Sequence, residues 1–454
     1  MQKKYFFNIS NFFKLTKKNW TNIAVVGIFL LGLIVRLHYL SYTDSMERSY
    51  DVAGHIEYIN LLADGNMPKQ NQCAQCYHPP LYHLCGAVIT KSCNLFHLPV
   101  NATHSALQIF SLFLFSIFLI ISFFIFRKIL IKDDRLLILA WALLVFWPSG
   151  IIHSIRIGND VLLYLFSILS LWLILIWNEK NKTIHLILAL LFALLAIYTK
   201  SNGLVIFFVI LLIVPLKWFF KMDENFYSFF KKKGALLLLA IFIAMVPLLI
   251  TLSNFKGWEN KNSSWIVANS YLLPDQLVIN NKIENLLGFD LTTFTETPFI
   301  DPWNDKGGRQ FFLVTTLKNS LWGEFRNKNN NLDVISVASI INNLLLLIIF
   351  IVCFGSLFLK ESFWRKNFIL MLYGFASLAS LLAIRLAVPF SCSNDFRYIF
   401  PALIPAIIML VLIFKEFKKR NFRALLLVGY LSIIFFSILS FLFFMIGFGE
   451  LISV

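Results

Sequence analysis

Charge is what this chain is short of. Only 14% of its 454 residues are charged, and the acids are the scarcer sign, 24 Asp and Glu against 40 Lys and Arg. An average soluble domain carries nearly twice that share. The shortage excludes an ordinary water-soluble core as the main architecture. With 58% hydrophobic residues, 49 Phe and a mean hydropathy of +0.74, lipid is the expected solvent for most of the surface. A continuous basic stripe is also missing. The formal charge of +16 sits in short clusters between apolar runs, which argues against a nucleic-acid partner and for membrane lipids as the surroundings.

Other absences narrow the class further. No small-x-small cleavage site follows the apolar run "TNIAVVGIFLLGLIVRL", and Arg36 and His38 interrupt its exit, so a retained first span is expected rather than a signal peptide. There is no fixed-period repeat, coiled-coil heptad or low-complexity tract, only the mildly Asn/Lys-rich "FRNKNNNLD". Six cysteines are present, four of them (Cys73, Cys76, Cys85 and Cys93) between the first two apolar runs. "CAQCYH" with His78 or His83 is ligand-like for zinc but lacks the second half of the usual spacing. Disulfides, unpaired thiols and a structural metal all stay open, and the pairing cannot be read.

What the chain does have is a series of apolar runs of roughly 18 to 22 residues, long enough for helices to cross a hydrocarbon core of about 30 Å. They lie near 22–40, 105–126, 136–153, 160–177, 184–199, 203–220, 234–253, 335–359, 367–388, 397–414 and 424–447. The expectation is an all-α polytopic membrane protein with about eleven transmembrane helices, the fifth short and the third broken by Pro148. The basic clusters check the count independently. With the N-terminus cytoplasmic, every strongly basic short connection falls on one side: Lys14 to Lys18, Arg127 to Arg135, Lys180 and Lys182, Lys217 to Lys233, Lys360 to Lys366, and Lys415 to Arg423. The expected organisation is a basic N-terminus (1–21), a transmembrane catalytic region (22–253) that includes a first extracytoplasmic loop (41–104), a large extracytoplasmic loop (254–334) and C-terminal helices (335–454).

The polar residues gather on the outer side. "SYDVAGHIEYINLLAD" has helical periodicity, placing Asp51, His55 and Tyr58 on one stripe of a short interfacial helix beside Val52, Ile56 and Ile59. Asp51 as a helix-end acid and His55 as a surface residue is the plainer alternative. "YHPPLY" fixes an extended entry that holds Tyr77 and His78 before a second interfacial helix from Leu81. "RIGND" puts Arg156, Asn159 and Asp160 at the next outer connection, "YTKSNG" puts Lys200 and Asn202 at another, and "NDFRYIFP" puts Asp395 and Arg397 at a third. Interfacial snorkelling or local ion pairs would explain each alone. Charges at membrane depth more often have a polar task, and their common side points to a shared cavity.

One carboxylate, a few cations and an oily surround suit sugar transfer from a lipid-linked phosphate. A cation must neutralise the departing phosphate, and a carboxylate must take the proton of the attacking hydroxyl. The order of Asp51-x-x-x-His55, "DGNMP", "YHPPLY", "GND" and "FRYIFP" resembles the GT-C glycosyltransferase superfamily, especially its protein O-mannosyltransferase and aminoarabinose-transferase branch. The resemblance covers about residues 20–205 and 390–415. It implies a polyprenyl-phosphate sugar donor, Asp51 as catalytic base, Arg397 and secondarily Lys200 at the donor phosphate, and His55 and His78 orienting the acid or acceptor. Tyr77 and Asp160 would contact substrate, Asp160 alternatively fixing a helix end. Many relatives carry an acidic pair where this chain has Asp51-Val52, so Asp44, Glu47 and Glu57 are rivals for the base. The second acidic motif that binds a divalent metal in some members is reduced here to Asp160, leaving metal dependence open and no metal ligand assigned.

In the large loop, Trp258, Trp265, Trp303 and Trp322 could stack on sugar rings or anchor at the interface. The acceptor, whether lipid, glycan or protein, is not readable. A bacterial inner membrane is the preferred location. A lipid-linked glycan ligase or polymerase of another fold would place its charges in the large loop. A transporter would show midplane charges and internal repeats, which the sequence lacks.

Overall fold

The computed structural model describes residues 20–46, 51–68, 72–131, 133–221, 234, 236–246, 277–323, 325–327, 334–355, 361–446 and 451–453. The architecture is all-α. The helices that frame the site are α1 (Trp20–Ser41), α2 (Val52–Ala63), α3 (Leu81–Leu95), α4 (Val100–Ile129), α5 (Asp134–Val145), α6 (Pro148–His153), α7 (Asp160–Lys180) and α8 (Thr183–Thr199). Further along come Leu204–Lys221, Phe312–Trp322, Val334–Gly355, Glu361–Ala387, Leu403–Lys419 and Arg423–Met445. The only strands among the described residues are two three-residue pieces, Phe325–Asn327 and Leu451–Ser453, paired antiparallel.

Every apolar run named above contains helix. Six helical segments among the described residues are long and apolar enough to cross a membrane: Trp20–Ser41, Val100–Ile129, Asp160–Lys180, Asn367–Ala387, Ser391–Lys419 and Arg423–Met445. The others are shorter apolar helices, among them Thr183–Thr199, Leu236–Val246 and Val337–Val352. The third run is interrupted as Pro148 requires. Proline lacks the N–H that would continue the ladder, so α5 ends, Trp147 turns extended, and α6 restarts with Pro148 in its first turn.

Between helices, packing and hydrogen bonds supply the cohesion that water would otherwise drive. α1 and α5 share a polar seam. Thr21 donates to Asp134 at 2.9 Å, the Trp141 indole to the Val25 carbonyl at 3.0 Å, and Arg36 to the Val145 carbonyl at 3.0 Å. The partners ascend together, so the first and third runs point the same way, as the alternation of basic connections requires. At one end of the bundle Lys128 pairs with Glu179, and Lys217 donates to the Trp177 and Asn178 carbonyls at 3.2 and 2.9 Å. Asp51, Asp160, Lys200 and Arg397 gather at the opposite end.

The two short helices expected after the first run are present, packed on each other. Gly86 allows it: a Cβ there would lie 2.7 Å from Ile59 Cδ1. The 72–80 segment then folds over α2, close enough that a Cβ on Gly54 would meet Gln75 Cγ at 2.9 Å.

Candidate active site

Asp51 stands just before α2 and makes no side-chain cap to its own helix. Its carboxylate instead reaches across the chain to Arg397, 2.9 Å from Nη2. The same guanidinium has Nε 3.0 Å from Asp395 Oδ2. Asp395 also accepts the Arg397 backbone N–H at 2.9 Å, which tightens the 3₁₀ turn Phe396–Ala402. Arg397 is thus held between two acids almost 350 residues apart in sequence (395 − 51 = 344). They differ in access. The Asp395 side chain is fully buried, while 29% of the Asp51 side chain stays exposed. Only Asp51 is open to an incoming molecule.

A second ion pair lies beside the first. Asp160 opens α7, where the helix dipole favours a negative charge, and it pairs with Lys200 from the turn after α8. That turn is tight because Gly203 has no Cβ; one there would sit 2.4 Å from the Ala196 backbone. Tyr398 joins the two pairs, with Lys200 Nζ 4.8 Å and Arg397 Cζ 5.2 Å from its ring centroid. Tyr164 donates to the Arg397 carbonyl at 2.9 Å and stacks on Phe400 at 5.0 Å, anchoring the turn from below. Arg156 adds a third cation whose charge is felt at Asp51.

These charges set the protonation of the lip. Burial alone would raise the Asp51 carboxyl, but Arg397, then Arg156 and Lys200, outweigh it and hold it below its ordinary 3.8. Asp51 is ionised at neutral pH. Burial drives the His55 imidazole down to about 4 despite neighbouring Asp51, and drives His78 well below 6.5. Both rings are neutral. Burial, with Asp51 second, pushes the Tyr77 phenol up.

The structure therefore brings Asp51, Asp160, Lys200 and Arg397 into one cluster. His55 lies one helical turn behind Asp51 and turns inward, its Nδ1 2.9 Å from His83 Nε2. His78 lies parallel to His55 at 6.1 Å, and the Tyr77 ring is 4.1 Å from His78. Cys73 and Cys76 form a disulfide that, with Tyr58, packs the 72–80 segment onto α2. Tyr58 also donates to the His78 carbonyl at 3.2 Å.

Several expectations change. Of the rival acids, Asp44 accepts the Met46 N–H at 2.7 Å, and Glu57 lines a separate groove of about 340 Å³ with Ala53, Asn60 and His104. Glu47 lies outside the described residues, as do Trp258 and Trp265. Trp322 is neither a sugar platform nor an interfacial anchor. It is fully buried, donates to Asn343 Oδ1 at 3.1 Å and packs on Phe443. Trp303 remains exposed. Among the described residues, no group of three or more His, Cys, Asp or Glu comes together to hold a metal ion. Each acid of the cluster faces a cation: Asp51 and Asp395 face Arg397, and Asp160 faces Lys200.

Sequence reasoning singled out Asp395 and Arg156 only as neighbours, weighed His83 only as a possible zinc ligand beside Cys73 and Cys76, and passed over Tyr398 and Tyr164. Asp395 had a signal, an acid two residues before Arg397 in a proline-flanked turn. His83 had a weaker one, the second histidine of "YHPPLYH". The tyrosines had none.

No protein-family model matches the chain, and no curated protein does. Among the solved structures similar to this chain are two at 12–13% identity. One is ArnT from Cupriavidus metallidurans bound to undecaprenyl phosphate, at 13% identity, covering 96% of this chain and 77% of that one with a TM-score of 0.49. The other is the archaeal oligosaccharyltransferase AglB from Archaeoglobus fulgidus in complex with an inhibitory peptide and a dolichol-phosphate. It is 12% identical over 94% of this chain and 56% of that one, also with a TM-score of 0.49, so this chain spans little more than half its length.

Proposed function

We propose that this chain is a membrane glycosyltransferase of the GT-C type. It moves a sugar from a polyprenyl-phosphate donor to a hydroxyl of a lipid, glycan or protein on the extracytoplasmic face, most naturally of a bacterial inner membrane. The observation that carries the reading is the 2.9 Å contact between a solvent-reachable carboxylate, Asp51, and a buried guanidinium, Arg397. The two groups the chemistry needs meet at one helix-end cluster beside apolar helices.

The reaction balances without a cofactor. The acceptor oxygen attacks the anomeric carbon, its proton passes to Asp51, and the bond from that carbon to the donor's phosphate oxygen breaks. The electron pair leaves with the polyprenyl phosphate. One such displacement inverts the anomeric centre. Arg397 stabilises the developing phosphate charge, a preorganised interaction in a water-poor site. A donor phosphate seated on Arg397 competes with Asp51 for the guanidinium. Loosening that pair removes the largest influence that lowers the Asp51 carboxyl and makes it a better base. Lys200 tunes the field through Asp160, and Tyr77 and His78 form one wall for the acceptor.

The test compares lipids and glycans by mass spectrometry from cells carrying the wild-type chain, Asp51→Asn, or none. A glycoform present only with the wild type is expected. Its full retention by a well-expressed Asp51→Asn variant removes the proposed base.

A further inference from the structure

The large loop carries an apolar edge that the reaction above leaves unused. After Leu277 the chain pairs with the segment that leaves helix Glu361–Ala387. The Ile279 N–H donates to the Pro389 carbonyl at 2.9 Å, and Val278 bridges Phe390 in antiparallel register. Arg385 donates to the Asn280 carbonyl at 2.6 Å, and Asn281 Nδ2 to the Leu386 carbonyl at 3.3 Å. In the short helix Ile283–Leu287, Leu286 packs inward on the cluster of Phe312 and Leu381. The inner side of this stretch is fastened, so its outer side is a surface of fixed shape.

That outer side is apolar. Ile283 and Leu287, one helical turn apart, are 74% and 76% exposed, and Leu291 and Val278 are exposed as well. Water is a poor partner for large aliphatic side chains gathered on one short stretch. The helix end to which they are tied says what covers them. Leu386, whose carbonyl Asn281 holds, lies at the end of Asn367–Ala387, a segment long and apolar enough to cross the membrane, and its own side chain is exposed. Phe375 and Phe368, about three and five turns earlier on the same stripe of that helix, are exposed too. On a helix that crosses the bilayer, such a stripe faces lipid. The edge of the loop continues it past the end of the span, at the level where acyl chains give way to headgroups. Lys282 and Glu284 flank Ile283 and are exposed. Long charged side chains keep their heads in the polar layer while their stems lie along apolar surface.

We propose that residues 278–291 form a membrane anchor, whose Ile283, Leu287 and Leu291 edge sits among the acyl chains of phospholipids in the leaflet on the Arg397 side. The anchor stands whether or not the chain transfers sugar. Through Ile279 and Pro389 it is joined to the chain that runs on through Ser391–Asn394 into the Arg397 turn.

The test uses the full chain in nanodiscs of phosphatidylcholine and phosphatidylglycerol. An environment-sensitive fluorescent amino acid replaces Ile283 or Leu287, with Phe375 as the lipid-facing reference and Lys306, in the exposed charged turn after Asp305, as the aqueous one. Phosphatidylcholine brominated in its acyl chains should quench the reporters at 283 and 287 nearly as strongly as that at 375, and severalfold more than that at 306. Dissolved iodide should show the reverse order. Ile283→Glu combined with Leu287→Glu should move a reporter at Leu291 from lipid-quenched to iodide-quenched. Iodide quenching at 283 and 287 without lipid quenching overturns the proposal, since the edge then stands in water. Protection from both quenchers also overturns it, in favour of a protein cover such as a second copy of this chain. A Leu291 reporter that stays lipid-quenched in the doubly substituted chain does the same, because the membrane contact then does not run through this edge. The single-reporter measurements replace only exposed side chains at 283 and 287, and they decide the matter even if the doubly substituted chain does not fold.

Discussion

Two groups of buried cations divide this molecule. At the lip, Arg397 and Lys200 face carboxylates: Asp51 and Asp395 on the first, Asp160 on the second. Elsewhere Arg36, Arg385 and Lys318 are buried as deeply, yet no carboxylate pairs with them among the described residues. Arg36 donates to the Gly32 and Val145 carbonyls at 2.9 and 3.0 Å, and Arg385 to those of Asn280 and Gln310 at 2.6 and 3.2 Å. Lys318 donates to the Thr293 and Gly307 carbonyls at 2.9 and 3.0 Å and to Thr297 Oγ1 at 3.3 Å. A cation facing a carboxylate can exchange that partner for another anion such as a phosphate. One facing several backbone oxygens of its own chain has a fixed address and fastens segments together. Burial alone does not mark function; the chemistry of the partner does.

The largest effect that would break this contrast is at Asp160. Asp160→Asn leaves the Lys200 charge buried and uncompensated, a loss of roughly 3–5 kcal/mol, and adding Lys200→Met should recover most of it. Melting temperatures of the detergent-solubilised proteins decide it; a double variant no better than the single one sinks the pairing argument. Next is Arg397→Lys, which keeps the charge and loses the planar fork, so one ammonium cannot serve Asp51 and Asp395 together. Transfer should drop roughly a hundredfold with a modest loss of stability.

The other group should behave in reverse. Lys318→Met orphans acceptor oxygens and should cost about 3 kcal/mol while leaving the KM for the donor unchanged. Burial holds the Lys318 amine at about 7 against an ordinary 10.5. The unfolded chain binds the extra proton between those values, so stability should rise with pH across that window. Melting curves of Lys318→Met taken from pH 7 to 10 should lack that rise. The smallest effect is at Cys73 and Cys76. Their short bridge constrains little chain, so replacing both with Ser should cost at most about 2 kcal/mol. A small rise in the KM for the acceptor is expected as Tyr77 and His78 loosen.

How much was legible in the sequence follows the same division. Apolar runs declare helices because lipid demands them, and the positions of basic clusters predicted that α1 and α5 run the same way. Asp51, Asp160, Lys200 and Arg397 could be gathered from distant stretches because ionised groups at the ends of apolar runs are conspicuous. Lys318 and Arg385 could not, since their partners are carbonyl oxygens that every residue possesses. His83 resembled one more polar residue at the start of an interfacial helix until α2 and α3 packed through Gly86. Trp322 misled for a related reason: a tryptophan in a polar loop reads as exposed, and only Asn343 from a separate helix supplies the buried acceptor for its indole.

The bond from Arg36 to the broken run has a consequence for how the bundle closes. The carbonyl of Val145 ends α5 in the buried core, where an orphaned oxygen is costly, and its guanidinium partner is made more than a hundred residues earlier (145 − 36 = 109). On its own helix Arg36 has only the Gly32 carbonyl, and its second partner is supplied when α5 packs alongside. The third hydrophobic segment thereby completes the first.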